Sequence, residues 1–154
     1  MAARFALIEV TRGRTSWADD AVSDWTRRMG AWGGLEHITV KPERFTGDVE
    51  AVRREEGRRI LARVRPRDRL LVLDERGVRA DSHAFAKIVD EARMDGRVIL
   101  ALGGPYGHAP EVREAAWKVI RLSDMVLNHQ IARVMAVEQL YRAMTIVQGI
   151  PYHH

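Results

Sequence analysis

The chain has 154 residues, of which 25 are Lys or Arg and 21 are Asp or Glu, so its formal net charge is +4. This length corresponds to about one domain, and we expect a single domain over residues 1–154. The absence of cysteine excludes disulfide bonds, thiolate metal sites and cysteine nucleophiles. No apolar stretch of the sequence approaches the roughly 20 residues that a membrane-spanning helix needs.

Short apolar runs alternate with segments of helical periodicity along the chain. The predicted strands are Phe5–Val10, Leu35–Val40, 70–73, Val98–Leu102 and 118–122. The predicted helices end near Met29, Val64, Gly96, Trp117 and Gln148. In the same order, the residues expected to cap or begin them are Thr15 or Ser16, Thr46 or Asp48, Asp81 or Ser82, Pro110, and His129. This alternation predicts an α/β fold with a largely parallel sheet.

Basic residues concentrate between Arg53 and Arg69, and nearly all of them are arginine. The planar guanidinium group suits phosphate better than the ammonium group of lysine does. The run is interpreted as an RNA-facing patch or as a solvated helix face, and charge alone does not decide between the two.

Two predicted strands end in sequence that suits a ligand site. In open α/β sheets, ligands bind beyond the carboxyl ends of the strands, and here Asp74 and the glycine-rich segment 103–107 occupy such ends. Glycines let a ligand approach bare backbone groups. The spacing matches neither the G-x-G-x-x-G fingerprint nor a Walker A loop, so no conventional phosphate cradle is expected. The histidines also lack metal-ligand spacing, so no metal site is expected.

Several motifs follow one another in the second half of the chain. They are Gly103-Gly-Pro-Tyr-Gly107, Leu122-Ser-Asp-Met-Val-Leu127, His129-Gln-Ile-Ala-Arg133, Glu138-Gln-Leu-Tyr-Arg-Ala143 and Pro151-Tyr-His153. On these residues the chain resembles the RlmH family of SPOUT-class methyltransferases, which use S-adenosylmethionine to methylate N3 of a pseudouridine in large-subunit (23S) ribosomal RNA. The resemblance covers the whole chain in length and element order, and its motifs are specific from about residue 70 onward.

The resemblance implies a SPOUT-type sheet with helices on both faces and a trefoil knot in the carboxyl-terminal part. It implies a homodimer in which the tail of the partner helps to complete the site. It also implies a cytoplasmic enzyme, and the small size of the chain makes the assembled ribosome the expected substrate rather than free RNA. Neither a membrane nor a metal partner is expected.

A pocket for S-adenosylmethionine carries over residue by residue from the resemblance. The implied cofactor-binding residues are Leu73, Gly103, Gly104, Leu122, Ser123, Asp124, Met125, Val126 and Leu127. Apolar side chains among them would sandwich the adenine, while backbone groups would bind its polar edge.

The implied catalytic residues are His129, Arg142, Tyr152 and His153. The N3–H group of a uracil-type ring is a weak acid that must lose its proton, and histidine exchanges protons readily near neutral pH, so His129 or His153 is the candidate base. Tyr152 is interpreted as a stacking partner for a base. Arg142 is interpreted as holding phosphate or a developing oxygen anion.

Other residues receive a structural interpretation. Glu138 is expected to pair with Arg142 one helical turn later, or with an arginine of a partner chain. Trp17, Trp25 and Trp32 are interpreted as a small aromatic cluster that packs the first helix rather than as a platform for RNA bases.

Three other functions remain open on the sequence. The chain could be a SPOUT methyltransferase acting on another RNA such as tRNA, or a non-catalytic ribosome- or RNA-binding protein of the same fold. A nucleotide-binding regulator that uses the glycine-rich loop is a third alternative. Binding of the methyl donor would exclude the second, and a response to ATP or NAD would indicate the third.

Overall fold

A computed structural model describes residues 2–154. The strands are β1 (Phe5–Val10), β2 (Leu35–Val40), β3 (Arg69–Arg79), β4 (Val98–Leu102) and β5 (Lys118–Arg121). They form one sheet in the order β2-β1-β4-β3-β5, and all of these neighbours pair in parallel. The helices are α1 (Asp19–Arg28), α2 (Val49–Leu61), α3 (Ser82–Asp95), α4 (Pro110–Ala115) and α5 (His129–Gln148), with a 3₁₀ turn at Met29–Trp32. The predicted α/β fold with a parallel sheet is confirmed.

Helices cover the sheet on both faces. Phe5 and Leu7 of β1 point into the core beneath α1, α3 and α5, whereas Ala6 and Ile8 point into a second core beneath α2 and α4. A strand buried on both faces needs an apolar residue at each position. This double burial explains why the predicted strands read as continuous apolar runs.

The first helix begins later than predicted, at Asp19. The hydroxyl of Ser16 accepts a hydrogen bond from the N–H of Ala18 at 3.1 Å, and the N–H of Ser16 donates to Asp19 Oδ2 at 2.9 Å. These two bonds close a turn before the helix, so Ser16 does not serve as its N-cap, a position that Ala18 occupies.

The predicted cluster of three tryptophans is wrong at Trp17. This residue precedes α1 and its side chain is 72% exposed. Trp25 and Trp32 instead pack on Tyr141 of α5, with ring centroids 5.3 and 5.6 Å apart.

Strand β3 extends beyond the predicted segment 70–73 because β5 pairs with it on both sides of an irregularity between Leu73 and Val78. Gly77 lies in this irregularity, and a Cβ there would be 2.6 Å from backbone atoms of Ile120. The close approach of the two chains therefore requires glycine at this position.

Helix α5 is the longest element. The Asn128 side chain caps it by accepting a hydrogen bond from the N–H of Gln130 at 2.8 Å, and Gly149 ends it with a φ of 68°. Neither α5 nor any other helix within residues 2–154 is both long and apolar enough to cross a membrane.

Candidate functional site

A cleft of about 680 Å³ opens at the carboxyl ends of β3 and β4. We call it the carboxyl-edge cleft. All the predicted cofactor-binding residues except Asp124 line it, namely Leu73, Gly103, Gly104, Leu122, Ser123, Met125, Val126 and Leu127. Segments far apart in sequence thus meet where ligands bind in open parallel sheets.

The glycine-rich segment forms a tight turn on one side of the cleft. The N–H of Gly107 donates to the carbonyl of Gly104 at 3.0 Å, and Gly107 has a φ of 80°. A Cβ at Gly103 would lie 3.1 Å from the carbonyl carbon of Gly107, and one at Gly104 would lie 2.7 Å from Oε1 of Glu56. At Gly103 and Gly104 the wall therefore consists of backbone.

The segment 122–127 forms an apolar wall of the cleft. Met125 and Val126 are 79% and 85% exposed, whereas Leu122 and Leu127 pack partly against the core. The N–H of Met125 donates to the hydroxyl of Ser123 at 2.9 Å, which shapes the turn. Apolar side chains this exposed are suited to contact a ligand or a second protein surface.

Asp124 is not among the residues that line the cleft. Its carboxylate accepts hydrogen bonds from Arg121 at 2.9 Å and from Arg79 at 3.0 Å. The bond from Arg121 and the charge of Arg79 hold the pKa of Asp124 below its usual value. These contacts attach the segment 122–127 to β5 and to the end of β3.

A buried histidine supports the glycine-rich turn from below. His108 is 3% exposed, and its Nε2 donates to the carbonyl of Ala101 in β4 at 3.2 Å. Burial lowers the pKa of His108, so the ring is neutral at physiological pH. Arg113 donates to the carbonyl of His108 at 2.8 Å and lies 3.5 Å from Asp74 at the end of the apolar run of β3. Sequence reasoning did not identify this support.

Glu56 is a second buried group that sequence reasoning missed. Its Oε2 accepts the N–H of Glu43 at 3.0 Å, while its Oε1 has no hydrogen-bond partner and lies beneath Gly104. Burial raises the pKa of Glu56. A protonated carboxyl group at this point would remove the cost of a buried unpaired charge.

His129, the first residue of α5, also lines the cleft. Its Nε2 lies 3.4 Å from Oε1 of Glu9, a side chain at the end of β1 whose residue is 4% exposed. Arg133 donates to the other oxygen of Glu9 at 3.0 Å and to Asp19 at 3.0 Å. Burial alone would raise the pKa of Glu9, but its contacts with His129 and Arg133 outweigh burial and lower it. Glu9 is therefore an ionised partner for the imidazole.

The other three predicted catalytic residues lie together near the carboxyl end of α5. Arg142 and the Tyr152 hydroxyl both donate to Oε1 of Glu138, at 2.7 and 2.9 Å, which confirms the expected Glu138–Arg142 pair. Arg142 also donates to Nδ1 of His153 at 3.1 Å. Burial and the Glu138 hydrogen bond raise the pKa of Tyr152 to about 12. We call Glu138, Arg142, Tyr152 and His153 the tail cluster.

The tail cluster and His129 lie at opposite ends of one helix. Arg142 follows His129 by 13 positions along α5, and a rise of about 1.5 Å per residue puts them about 20 Å apart. One chain therefore brings His129 to the predicted cofactor-binding residues, whereas Arg142, Tyr152 and His153 are not among the residues that line their cleft. Residues 2–154 contain no group of three His, Asp or Glu side chains arranged to hold a metal ion.

The fold and the cleft define an α/β protein with an open cleft at the carboxyl edge of a parallel sheet, which is where such folds bind ligands. The family model described as "Predicted SPOUT methyltransferase" matches residues 3–153. The chain belongs to this family.

Curated relatives agree with this assignment. Proteins named "Ribosomal RNA large subunit methyltransferase H" from Anaeromyxobacter dehalogenans (strain 2CP-1) and Trichlorobacter lovleyi are 40% and 37% identical to the chain over 148 and 153 residues. These alignments cover 96% and 98% of the chain, and 97% and 99% of the relatives. A protein of the same name from Porphyromonas gingivalis is 35% identical over 155 residues, with 98% of the chain and 99% of the relative covered.

Proposed function

We propose that this chain is a large-subunit ribosomal RNA methyltransferase that uses S-adenosylmethionine to methylate N3 of a pseudouridine in 23S ribosomal RNA. The observation that carries the proposal is the carboxyl-edge cleft, in which the glycine turn and the apolar segment 122–127 face each other in a member of a methyltransferase family. The names of the relatives support the class of RNA. The cofactor and the target atom come from the resemblance of the motifs to the RlmH family.

The residues of the cleft fit a nucleoside-containing methyl donor. Gly103 and Gly104 line the cleft without side chains, so their backbone groups are available to the polar edge of a base. Leu73 and the exposed side chains of Met125 and Val126 provide apolar surface for the base itself. S-adenosylmethionine supplies an electrophilic methyl group carried by a sulfonium ion. The task of the protein is then to orient the acceptor and exclude water.

We infer that a second copy of the chain completes the site. An acceptor base is smaller than the separation of about 20 Å between His129 and Arg142 within one chain. The outward face of α5 carries Ile131, which is 43% exposed, and the half-buried Met135 one turn later. A homodimer formed through this face would bury that apolar surface and bring the tail cluster of one copy over the cleft of the other.

In this composite site, a histidine takes up the N3 proton of the acceptor ring. His129 is supported as the base by Glu9, because an ionised carboxylate 3.4 Å from Nε2 stabilises the imidazolium that proton transfer produces. His153 is the alternative base. Loss of the proton spreads negative charge onto the ring oxygens, where the guanidinium group of Arg142 can donate hydrogen bonds. Tyr152 offers an aromatic ring on which the acceptor base can stack.

We also propose the finer features that the resemblance implies. The carboxyl-terminal part threads a trefoil knot, and the enzyme works in the cytoplasm, where ribosomal RNA is found. The assembled ribosomal particle is the substrate, because a chain of this size has little surface with which to recognise an RNA fold. Equal methylation rates on naked 23S RNA and on assembled subunits would contradict this last inference.

Two measurements test the proposed function. Isothermal titration with S-adenosylmethionine should give a saturable heat, and no heat at millimolar ligand would favour a non-catalytic binding protein. Mass mapping of nucleosides in ribosomal RNA from cells with and without the gene should show 3-methylpseudouridine only when the gene is present. An unchanged signal would refute the assignment, and a modification that disappears from tRNA instead would identify the alternative substrate.

A further inference from the structure

A second groove lies beside the carboxyl-edge cleft, at the carboxyl ends of β1 and β2. One part, of about 660 Å³, is lined by segments 11–13 and 39–41 and by the end of α2. The other part, of about 480 Å³, is lined by segments 11–12 and 14–17 and by Gln130. The two parts share Thr11 and Arg12, so they form one continuous surface, which we call the basic groove.

The lining of the basic groove is strongly cationic. Its charged side chains are Arg12, Arg14, Lys41, Arg58, Arg59 and Arg63, and no acidic residue lines either part within the described chain. The two adjacent arginines on α2 already pair with Glu55 and Glu43. The other four cations make no ion pair with any of residues 2–154. A concave surface with several uncompensated cations attracts a polyanion.

Trp17 adds an aromatic face to this cationic surface. It lines the same groove as Arg12 and Arg14 and is 72% exposed. The tryptophans at 25 and 32 are packed on Tyr141, so Trp17 differs from them in having its ring free to contact a partner. Arginines beside an exposed aromatic ring are typical of surfaces that bind single-stranded nucleic acid.

The basic groove is continuous with the cleft through neighbouring residues. Val10 lines the cleft and Thr11 lines the groove, while His129 lines the cleft and Gln130 lines the groove. The hydroxyl of Ser16 donates to the Gln130 side chain at 2.8 Å, which fixes the groove wall to the start of α5. A strand lying in the groove would therefore lead directly to the cleft.

We propose that the basic groove holds an unpaired segment of ribosomal RNA next to the modified nucleotide. Phosphates lie on Arg12, Arg14, Lys41 and Arg63, and one base stacks on Trp17. An RNA duplex would present phosphates but no unstacked base, so Trp17 favours a single strand. The identity of the RNA rests on the proposed function, whereas the groove itself does not.

This surface contains only part of the arginine run that the sequence singled out, since Arg58, Arg59 and Arg63 line the groove. Arg65 and Arg67 of that run lie in the turn that precedes β3 and line neither part of the groove. They are exposed, and their side chains form no ion pair within residues 2–154. Changing them alters the net charge as much as changing Arg12 and Arg14, so they provide a matched control.

The test is the fluorescence anisotropy of a fluorescein-labelled oligouridine, and of a blunt RNA duplex of equal length, titrated with the full-length protein at several salt concentrations. The double variant Arg12→Gln/Arg14→Gln should reduce the slope of log K against log salt by about 1.4, since each single-strand phosphate contact contributes about 0.7. Trp17→Ala should weaken binding of the single strand by about 5- to 150-fold, and Trp17→Phe by less. The control Arg65→Gln/Arg67→Gln should leave both affinity and slope unchanged.

Several results would contradict the proposal that the basic groove binds RNA. Equal losses in the control variant would mean that net charge alone attracts RNA. Wild-type affinity in Arg12→Gln/Arg14→Gln, or an equal loss of duplex and single-strand binding in Trp17→Ala, would also reject it. Binding of ribosomal subunits without any binding of RNA would identify a ribosomal protein as the partner instead.

Titration with S-adenosylmethionine separates failure of the groove from failure of the proposed function. Each groove variant should bind this ligand as the wild type does, and its methylation of ribosomal subunits should show a raised KM with little change in kcat. If the wild type binds oligouridine through the groove but neither binds S-adenosylmethionine nor methylates RNA, the function fails and the groove stands. If methylation is normal and the variants bind oligouridine normally, the groove alone fails.

Discussion

The two ends of helix α5 hold polar groups in different ways. At the amino end, Glu9 and Arg133 have side chains that are 6% and 13% exposed and are anchored to the sheet through β1. At the carboxyl end, Glu138 and Arg142 are 18% and 24% exposed and lie on the same helix. Charged pairs that are cut off from water respond more strongly to the loss of one partner than pairs that water can reach.

This difference indicates what each end can do alone. The amino end belongs to the wall of a formed cleft, so its geometry is fixed before any ligand binds. The tail cluster is held together by hydrogen bonds, yet its Arg142 lies about 20 Å along α5 from His129, which lines the cleft. The first end lies at a cleft of its own chain, and under the proposed function the second end acts at the cleft of another copy.

The largest expected effect is on methylation, and it tests the contrast between the two ends of α5 by substitution of Arg142. Arg142→Ala should reduce methylation by about 10²- to 10³-fold, because a group that stabilises developing charge is lost. Binding of S-adenosylmethionine, measured by titration calorimetry, should stay unchanged. Co-expression of this variant with Gly104→Val, each with its own tag, should restore about one quarter of wild-type activity, because about half of randomly formed dimers are mixed and each keeps one intact site.

The result of the co-expression shows whether the active site is formed by one chain or by two. Activity no greater than the sum of the separate variants would mean that the tail cluster acts on its own chain or not at all. A monomer in analytical ultracentrifugation at working concentration would lead to the same conclusion.

The next largest effect is expected at the glycine turn of the carboxyl-edge cleft. In Gly104→Val, the Cβ would lie 2.7 Å from Oε1 of Glu56 and 3.3 Å from a methyl carbon of Val10. We expect binding of S-adenosylmethionine to weaken at least about tenfold and the free energy of unfolding to fall by about 1–3 kcal/mol. The matched control is Gly30→Val, where a Cβ meets nothing within 4 Å. Equal affinity in the two variants would remove the turn from the binding site.

The backbone elements were accessible from sequence because their signals are local. Asp48 and Asp81 were among the predicted helix caps, and both are N-caps in the structure. Their side-chain oxygens accept hydrogen bonds from N–H groups of the first turn. The predicted start of α1 was wrong because Ser16 takes part in a turn that precedes the helix. In that turn, the N–H of Ser16 donates to Asp19 and the hydroxyl of Ser16 accepts from the N–H of Ala18. A cap and a pre-helix turn use the same residue types, so composition does not separate them.

The candidate site likewise has residues that the sequence predicted and supporting contacts that it did not. The cofactor-binding residues were predicted from ordered motifs, and the structure brings all of the predicted residues except Asp124 to one cleft. The supports behind that cleft join residues that are remote in sequence, such as Glu9 and His129, which are 120 positions apart. A single acid in the otherwise apolar β1 was the one local signal of this contact, since a buried charge requires a partner. His108 gave no comparable signal.

A smaller effect measures the anchoring of the amino end directly. Glu9→Gln keeps the shape of the side chain and removes its charge, so the free energy of unfolding at pH 7 should fall by about 1.5–3 kcal/mol. The pKa of Glu9 is lowered in the folded protein from its usual 4.5. Its stabilisation is therefore complete above that value and is lost as the pH falls through the folded-state pKa. Urea unfolding of the variant and the wild type should begin to converge as the pH falls below about 4.5 and should coincide once the pH is below the folded-state pKa. A difference that persists at lower pH would mean that charge is not the cause.

The smallest effect is expected at the other end of the helix. Tyr152→Phe removes the hydroxyl that donates to Glu138 at 2.9 Å but leaves the Arg142 pair and the ring contacts with Trp25 and Tyr141 in place. The loss in the free energy of unfolding should be about 0.5–1.5 kcal/mol, the net value of an ordinary hydrogen bond, because water reaches the partly exposed Glu138 carboxylate and weakens its charge-assisted bonds. The same urea titration at pH 7 compares it with Glu9→Gln. A loss as large as that of Glu9→Gln would show that the tail cluster is anchored as firmly as the cleft, and the contrast between the two ends of α5 would then rest on their positions alone.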